Sequence, residues 1–276
     1  MAADLEIICI GNELLIGKVV NTNASWIGKR ATSLGIEVKR ITVGPDEIPA
    51  IVNIIREALA RKPKFLIVTG GLGPTFDDKT LEGISKTLSR KLAVNPEALG
   101  MVKAKYKEYA KTRNIFEGEM TPPRVKMATL PQGTIPIENP VGTAPGVQTD
   151  VDGTVLIALP GVPREMEAIF ESSVVPLLRK AAGELGFFEL SIYADNIMES
   201  VLAPLIDTVM RDNLHVYVKS HPKGRESKPH MELHLSTSGK PSQNPQEILA
   251  KAALQLSGLI EKAGGEVVKV ESLRTV

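Results

Sequence analysis

FLIVTGGLGPTFDDKT, residues 65–80, opens with five consecutive residues (Phe65 to Thr69) rich in β-branched and aromatic types and free of polar alternation. That pattern predicts a strand buried on both faces, as in a parallel sheet. Gly70, Gly71 and Gly73 then let the backbone turn sharply and come close to a ligand. Leu81, Ile84 and Leu88 recur at helical spacing beyond the turn. A glycine turn between a strand and a helix start gathers backbone N–H groups where the helix dipole favours an anion, usually phosphate. Asp77 and Asp78 at its edge are the acids that a divalent cation would need. Helix capping by Asp78 alone stays open, but it does not account for two adjacent acids after three glycines.

Outward from this stretch the pattern repeats. Leu5–Ile10 is a second apolar run, broken only by Glu6, and Gly11-Asn12-Glu13 follows it. Glu13 thus lies past the C-terminal end of a strand, where open α/β sheets bind ligands. A helix from about Asn23, a strand over 36–43 and a helix with Ile48, Ile51, Val52, Ile55 and Leu59 on one face lead to the strand at 65–69. This alternation predicts a mostly parallel sheet with helices on both faces. Asn95-Pro96 predicts a helix start, and the charged helix to about Arg113 reads as a solvated surface element or lid. Pro122-Pro123-Arg124 reads as a rigid break. The Pro- and Gly-rich segments 130–133 and 139–146 are expected to be loops or a hairpin connection. In the second of these, Gly142 and Thr143 suit close approach by a ligand, although turn chemistry alone would also explain them. Val155–Leu159 is a further buried strand running through Pro160-Gly161-Val162 into a helix from Pro163 to about Lys180, a second strand–glycine turn–helix start with Gly161 beside the ligand.

Composition shifts after Gly183. Strands at 187–193, 216–218 and 231–235, with helices at 197–210 and 245–263, predict a small α+β domain. Pro204 would start or kink its helix. The basic segment 218–229 reads as an exposed loop, and its Lys219 and His221 as solvated residues rather than an anion clamp.

The balance of the chain excludes several classes. A net charge of +1 over 276 residues argues against a nucleic-acid surface. Cys9, alone and within an apolar run, is expected to be core, and the lack of any possible internal disulfide fits a cytoplasmic protein. No apolar stretch reaches membrane-spanning length, and no signal peptide is legible.

Gly11-Asn12-Glu13-Leu14-Leu15, Asn21-Thr22-Asn23, Thr69 through Thr75 with Asp77-Asp78, Asn139 through Gly146 and Leu159-Pro160-Gly161-Val162-Pro163 together resemble the N-terminal part of the CinA family. The resemblance implies a three-layer α/β/α fold of the molybdopterin-binding (MoaB/Mog-like) type over residues 1–183, then a KH-like α+β domain over 184–276. It implies a metal-dependent pyrophosphatase acting on nucleotides such as ADP-ribose, using magnesium or a similar divalent ion, with potassium as a further cation. It also implies association into a homo-oligomer. The amidase domain that many relatives carry is not expected within 276 residues. Asn12 stands where the family usually has Thr.

On this reading Gly70, Gly71 and Gly73 present N–H groups to the phosphates. Asp77, Asp78 and Glu13 hold the metal that activates a water. Thr75 and Thr143 donate further hydrogen bonds, and Asn21 and Asn23 touch a ribose or base. The alternative is molybdopterin binding, or attachment of AMP to it, since fold does not dictate function. RNA binding is not expected, because residues 185–265 lack a G-x-x-G spacing.

Overall fold

The computed structural model describes residues 3–113, 120–223 and 230–275, without the side chains of residues 111–113 and 274–275. It divides into two compact units, Met1–Ala31 with Ile36–Ala181, and Thr32–Gly35 with Ala182–Val276.

In the first unit the chain forms β1 (Asp4–Ile10), a single turn α1 (Asn12–Leu15), α2 (Thr22–Ser33), β2 (Glu37–Gly44), α3 (Ile48–Ala60), β3 (Phe65–Thr69) and α4 (Thr80–Thr87). It continues through β4 (Leu92–Val94), α5 (Pro96–Arg113), α6 (Pro122–Met127), β5 (Thr129–Pro131), β6 (Ile135–Ile137), β7 (Gly146–Val151) and β8 (Thr154–Leu159). Last come α7 (Pro163–Ile169), a five-residue π segment (Phe170–Val174) and α8 (Val175–Ala182). Six strands form one sheet in the order β2-β1-β3-β8-β7-β6, parallel from β2 to β8 and antiparallel at β7 and β6. Ile41, Ile7, Ile67 and Ile157 lie side by side across the four parallel strands. The last three are fully buried, and strands covered on both faces read as apolar runs, as β3 and β8 do.

Several proline and glycine positions differ from expectation. Pro122 and Pro123 start α6 instead of breaking the chain, because a helix's first turn needs no N–H from them. The segment 129–151 holds three short strands as well as loops. β5 pairs with β4 in a separate ribbon. β6 carries Pro136 at its centre, and it is the sheet's edge strand, where a missing donor is tolerated. β6 and β7 do form the expected hairpin connection around residues 138–145.

β1 also carries a charge into the interior. Glu6 is 4% exposed and is held by a bidentate pair with Arg61, Nε–Oε1 2.7 Å and Nη2–Oε2 2.6 Å. Removing one partner strands the other's charge. Arg61→Met is expected to destabilise the protein by about 2–3 kcal/mol in chemical denaturation, with the Glu6→Met/Arg61→Met double variant recovering much of the loss.

The second unit comprises β9 (Gly186–Asp195), α9 (Glu199–Asp212), β10 (Tyr217–Pro222), β11 (His230–Gly239), a 3-10 turn at 241–243, α10 (Pro245–Lys262), β12 (Glu266–Val270) and β13 (Arg274–Thr275). The antiparallel sheet runs β10-β11-β9-β12, with β13 also on β9. Both helices pack on the face bearing Leu190, Ile192, Leu233 and Leu235. Pro204 lies inside α9, neither starting nor ending it. β10 extends through Lys219 and His221 to Pro222, so these are strand residues and not loop residues; 224–229 lie outside the described residues.

Candidate functional site

Parallel strands β1, β3 and β8 end side by side, and the turns that follow them enclose a cleft of ≈ 360 Å³. Of the residues expected there, Glu13, Gly70, Gly71, Gly73, Asp77, Asp78, Thr143 and Gly161 line it.

The turn after β3 is forced to be glycine by its surroundings. Gly70 has φ 100°, and a Cβ on it would overlap the Ile10 carbonyl oxygen of β1. Gly71 has φ 66°, and a Cβ there would overlap the hydroxyl of Thr80 at the start of α4. The amides are not equally available. Gly70 N–H donates to Leu159 O at 3.1 Å, so it continues the sheet and is not a phosphate donor as expected. Thr75 N–H donates to Asp78 Oδ2 at 2.8 Å, and Gly142 N–H to Asn139 Oδ1 at 2.7 Å. Among the described residues the amides of Gly71, Leu72 and Gly73 have no acceptor, and all three residues line the cleft. They stand seven to nine residues ahead of α4, which starts only at Thr80.

The acids are organised around Thr75. Its hydroxyl lies against Asp77 Oδ1 and, at 2.6 Å, Asp78 Oδ2. A hydroxyl has one proton, so it donates to one of them at a time. This hydrogen bond, with the nearby charge of Lys126 as a lesser cause, holds the Asp77 carboxyl below the usual aspartate range. Lys126 Nζ also donates to Thr75 O, tying α6 to the turn. Thr75→Val is expected to move the Asp77 pKa up toward its ordinary value, read from carboxyl carbon shifts in a pH titration; no movement would show that the hydroxyl does not set it. Glu13 instead folds back over Gly11, where a Cβ would strike its carboxylate. Among the described residues no three Asp, Glu, His or Cys side chains are placed to hold a metal ion together. Asp77 and Asp78 are thus brought together, while Glu13 does not join them in a ready-made chelate.

Two further acids were missed from sequence. Asp46, beyond β2, lines the cleft and accepts Asn12 N–H at 2.8 Å, while its own N–H reaches Asn12 Oδ1 at 3.4 Å. Asn12 therefore latches α1 to the turn that follows β2. Glu165 lies in the first turn of α7 and accepts from Asn139 Nδ2 at 2.7 Å. Asn139, 3% exposed, also bonds Ala144 O and the amides of Val141 and Gly142, and so shapes the 139–144 loop. Gly142 packs directly on the Glu165 carboxylate, which explains its small size without a ligand. α5 is more than a solvated helix, because Lys105 and Tyr109 clasp the same loop through Pro140 O and Val141 O, each at 2.8 Å.

Asn21 and Asn23 lie in an adjoining recess. Asn21, not Asn23, caps α2, its Oδ1 accepting Ala24 N–H at 3.1 Å. Asn23 Nδ2 bridges Gly161 O at 2.8 Å and Thr69 Oγ1 at 3.2 Å. Cys9 is buried, as expected of a core cysteine, and burial pushes its thiol pKa up. Among the described residues no helix is long and apolar enough to cross a membrane.

Comparison with known proteins agrees with this architecture. A protein of Metallosphaera sedula is 42% identical over 268 residues, covering 97% of this chain and 98% of the relative. One of Pyrobaculum aerophilum is 44% identical over 263 residues, covering 94% and 95%. The crystal structure of "the protein CinA with unknown function" from Thermoplasma acidophilum is 42% identical with a TM-score of 0.58, covering 64% of this chain and 98% of that one. Residues 6–180 match the family described as a probable molybdopterin binding domain, and with that span, nearly the whole first unit, the chain belongs to this molybdopterin-binding, CinA-like family.

Proposed function

We propose that the cleft binds a phosphorylated small molecule of the molybdopterin class, with its phosphate on the amides of Gly71, Leu72 and Gly73. The observation that carries this reading is those three consecutive amides, without acceptors among the described residues, at the C-terminal edge of a parallel sheet. Successive N–H groups in a turn make an anion-binding concavity, and family membership supports a pterin-linked phosphate as the occupant.

One observation favours a second reading, metal-dependent hydrolysis of a diphosphate link in a nucleotide such as ADP-ribose. Five acids, Glu13, Asp46, Asp77, Asp78 and Glu165, line the cleft, an excess of negative charge that a phosphate would not meet comfortably without a cation. An all-carboxylate donor set suits a hard ion such as magnesium, which is commonly held by one or two carboxylates plus substrate phosphates. Asp77 and Asp78 are the residues that would hold it; when bound, it would neutralise phosphate charge and acidify a water.

The test is a side-by-side titration with molybdopterin and ADP-ribose, with product analysis in the presence of magnesium. Preferential, unreactive binding of molybdopterin supports the first reading. Magnesium-dependent release of AMP and ribose 5-phosphate moves the assignment to the second, and binding of neither ligand rejects both.

A further inference from the structure

The loop over 138–145 joins β6 to β7 and carries Thr143 and Ala144 into the cleft wall. Between this loop and α5 lies a separate cavity of ≈ 120 Å³, whose walls include Met101, Ala104 and Lys105 of the helix and Glu138, Thr143 and Pro145 of the loop. Thr143 thus lines both spaces. A side chain with open volume on two sides lacks the neighbouring atoms whose dispersion contacts would fix it. Among the described residues its hydroxyl has one hydrogen bond, to Met127 Sδ at 3.7 Å, and a thioether is a weak acceptor. Packing alone therefore does not set the place of Thr143.

Polar ties set it instead. Lys105 Nζ donates to Pro140 O and Tyr109 Oη to Val141 O, each at 2.8 Å, just ahead of Thr143 in the chain. Asn139 binds the loop to itself, accepting from the amides of Val141 and Gly142 and donating to Ala144 O, so a hold on Pro140 and Val141 is carried on to Thr143. Neither Lys105 nor Tyr109 lines the cleft, so neither meets a ligand there. The helix that carries them is rooted in the interior: its Ala98 and Val102 are fully buried in the core cluster that also holds Met127 and Ala144. The Lys105 side chain is only 16% exposed, so water competes little for its tie. Tyr106 of the same helix lies under the Arg124 guanidinium of α6, 3.8 Å from Cζ to the ring centroid. α6 also supplies the Lys126 that holds Thr75 O. Together α5 and α6 hold two walls of the cleft, the acid-bearing turn and the Thr143 loop.

We propose that Lys105 and Tyr109 are positioning residues for the cleft: from outside it they hold the 138–145 loop in the setting that presents Thr143 to the phosphorylated ligand, and so govern how long the ligand stays. The inference rests on the phosphate reading of the cleft and adds to it what keeps one wall closed. Without the two ties the loop still coheres through Asn139 and still meets Glu165. It has then lost its hydrogen bonds to α5 and has open volume behind it, and Thr143 no longer has a single fixed place.

The experiment compares the full chain with its Lys105→Met/Tyr109→Phe double variant, in which both donors are lost and the bulk of each side chain is largely kept. Hydrogen exchange on the ligand-free proteins is expected to be about tenfold faster in the variant at Val141 to Thr143, with the amides of β3 and β8 unchanged. Surface plasmon resonance with molybdopterin and with ADP-ribose is expected to show dissociation about tenfold faster and association changed by less than about twofold. A role in folding alone would lower thermal stability and leave the dissociation rate where it was, which overturns the proposal. Unchanged exchange at Val141 to Thr143 overturns it as well. If the wild type binds neither ligand, the phosphate reading fails and the inference falls with it. If the wild type binds and the variant releases the ligand at the same rate, the positioning role alone falls and the phosphate reading stands.

Discussion

Gly70→Ala is expected to destabilise the protein by about 3–5 kcal/mol, the largest effect of any single methyl group added to the turn. Two costs combine. The residue sits at φ 100°, outside the range that side chains adopt readily, and the new Cβ would overlap the Ile10 carbonyl oxygen, a backbone atom of the neighbouring strand that cannot swing away. Relief requires parting β1 from β3 at the end where the cleft forms, so ligand binding should fall together with stability. Gly17→Ala isolates the conformational cost: φ there is 69°, but nothing lies within 4 Å of an added Cβ. Its expected cost is about 1–2 kcal/mol. Chemical denaturation of the two variants separates strain from overlap, and equal destabilisation would show that the strands yield without resistance.

The Asp77→Asn/Asp78→Asn double variant is expected to abolish the dependence of ligand affinity on magnesium. Both carboxylates line the cleft, and Asp77 is held in its charged form by Thr75, so it keeps that charge to lower pH than an ordinary aspartate. Without a cation two negative charges beside a phosphate repel it. In EDTA the double variant should therefore bind a phosphorylated ligand more tightly than the wild type, by about tenfold. With magnesium the wild type should gain affinity and the variant should not. Affinity indifferent to magnesium in both proteins would mean that these acids engage no cation, which would also remove the observation favouring hydrolysis.

The two-fold success and failure of sequence reading have separate physical origins. β3 was legible to its last residue because four apolar residues and a β-branched threonine run on without polar alternation, as a strand covered on both faces does, and Gly70 ends it. The ribbon of β4 and β5 and the strands β6 and β7 were not, because each is held by pairing across the chain and contains or borders proline and glycine. The site shows the same division. The glycine turn was visible as composition, but which amides remain for a ligand was not, since Gly70 looks as free as Gly71 until β8 is known to lie beside it. Asp46 reaches the cleft through a 34-residue separation from its partner Asn12, a pairing that no local pattern signals. Glu165 had a signal, standing two residues after Pro163 in the turn already marked as ligand-facing. The helix was expected to begin near Asn23, and only the start of α2 at Thr22 shows that the cap is Asn21.

The most direct test follows the backbone amide resonances of Gly70 through Thr75 by NMR while ADP-ribose, or molybdopterin, is added. Gly71, Leu72 and Gly73 should shift strongly and exchange more slowly with solvent, while Gly70, already bonded to Leu159 O, stays protected in both states. Saturable binding that leaves those three amides unmoved would contradict the turn as the phosphate site.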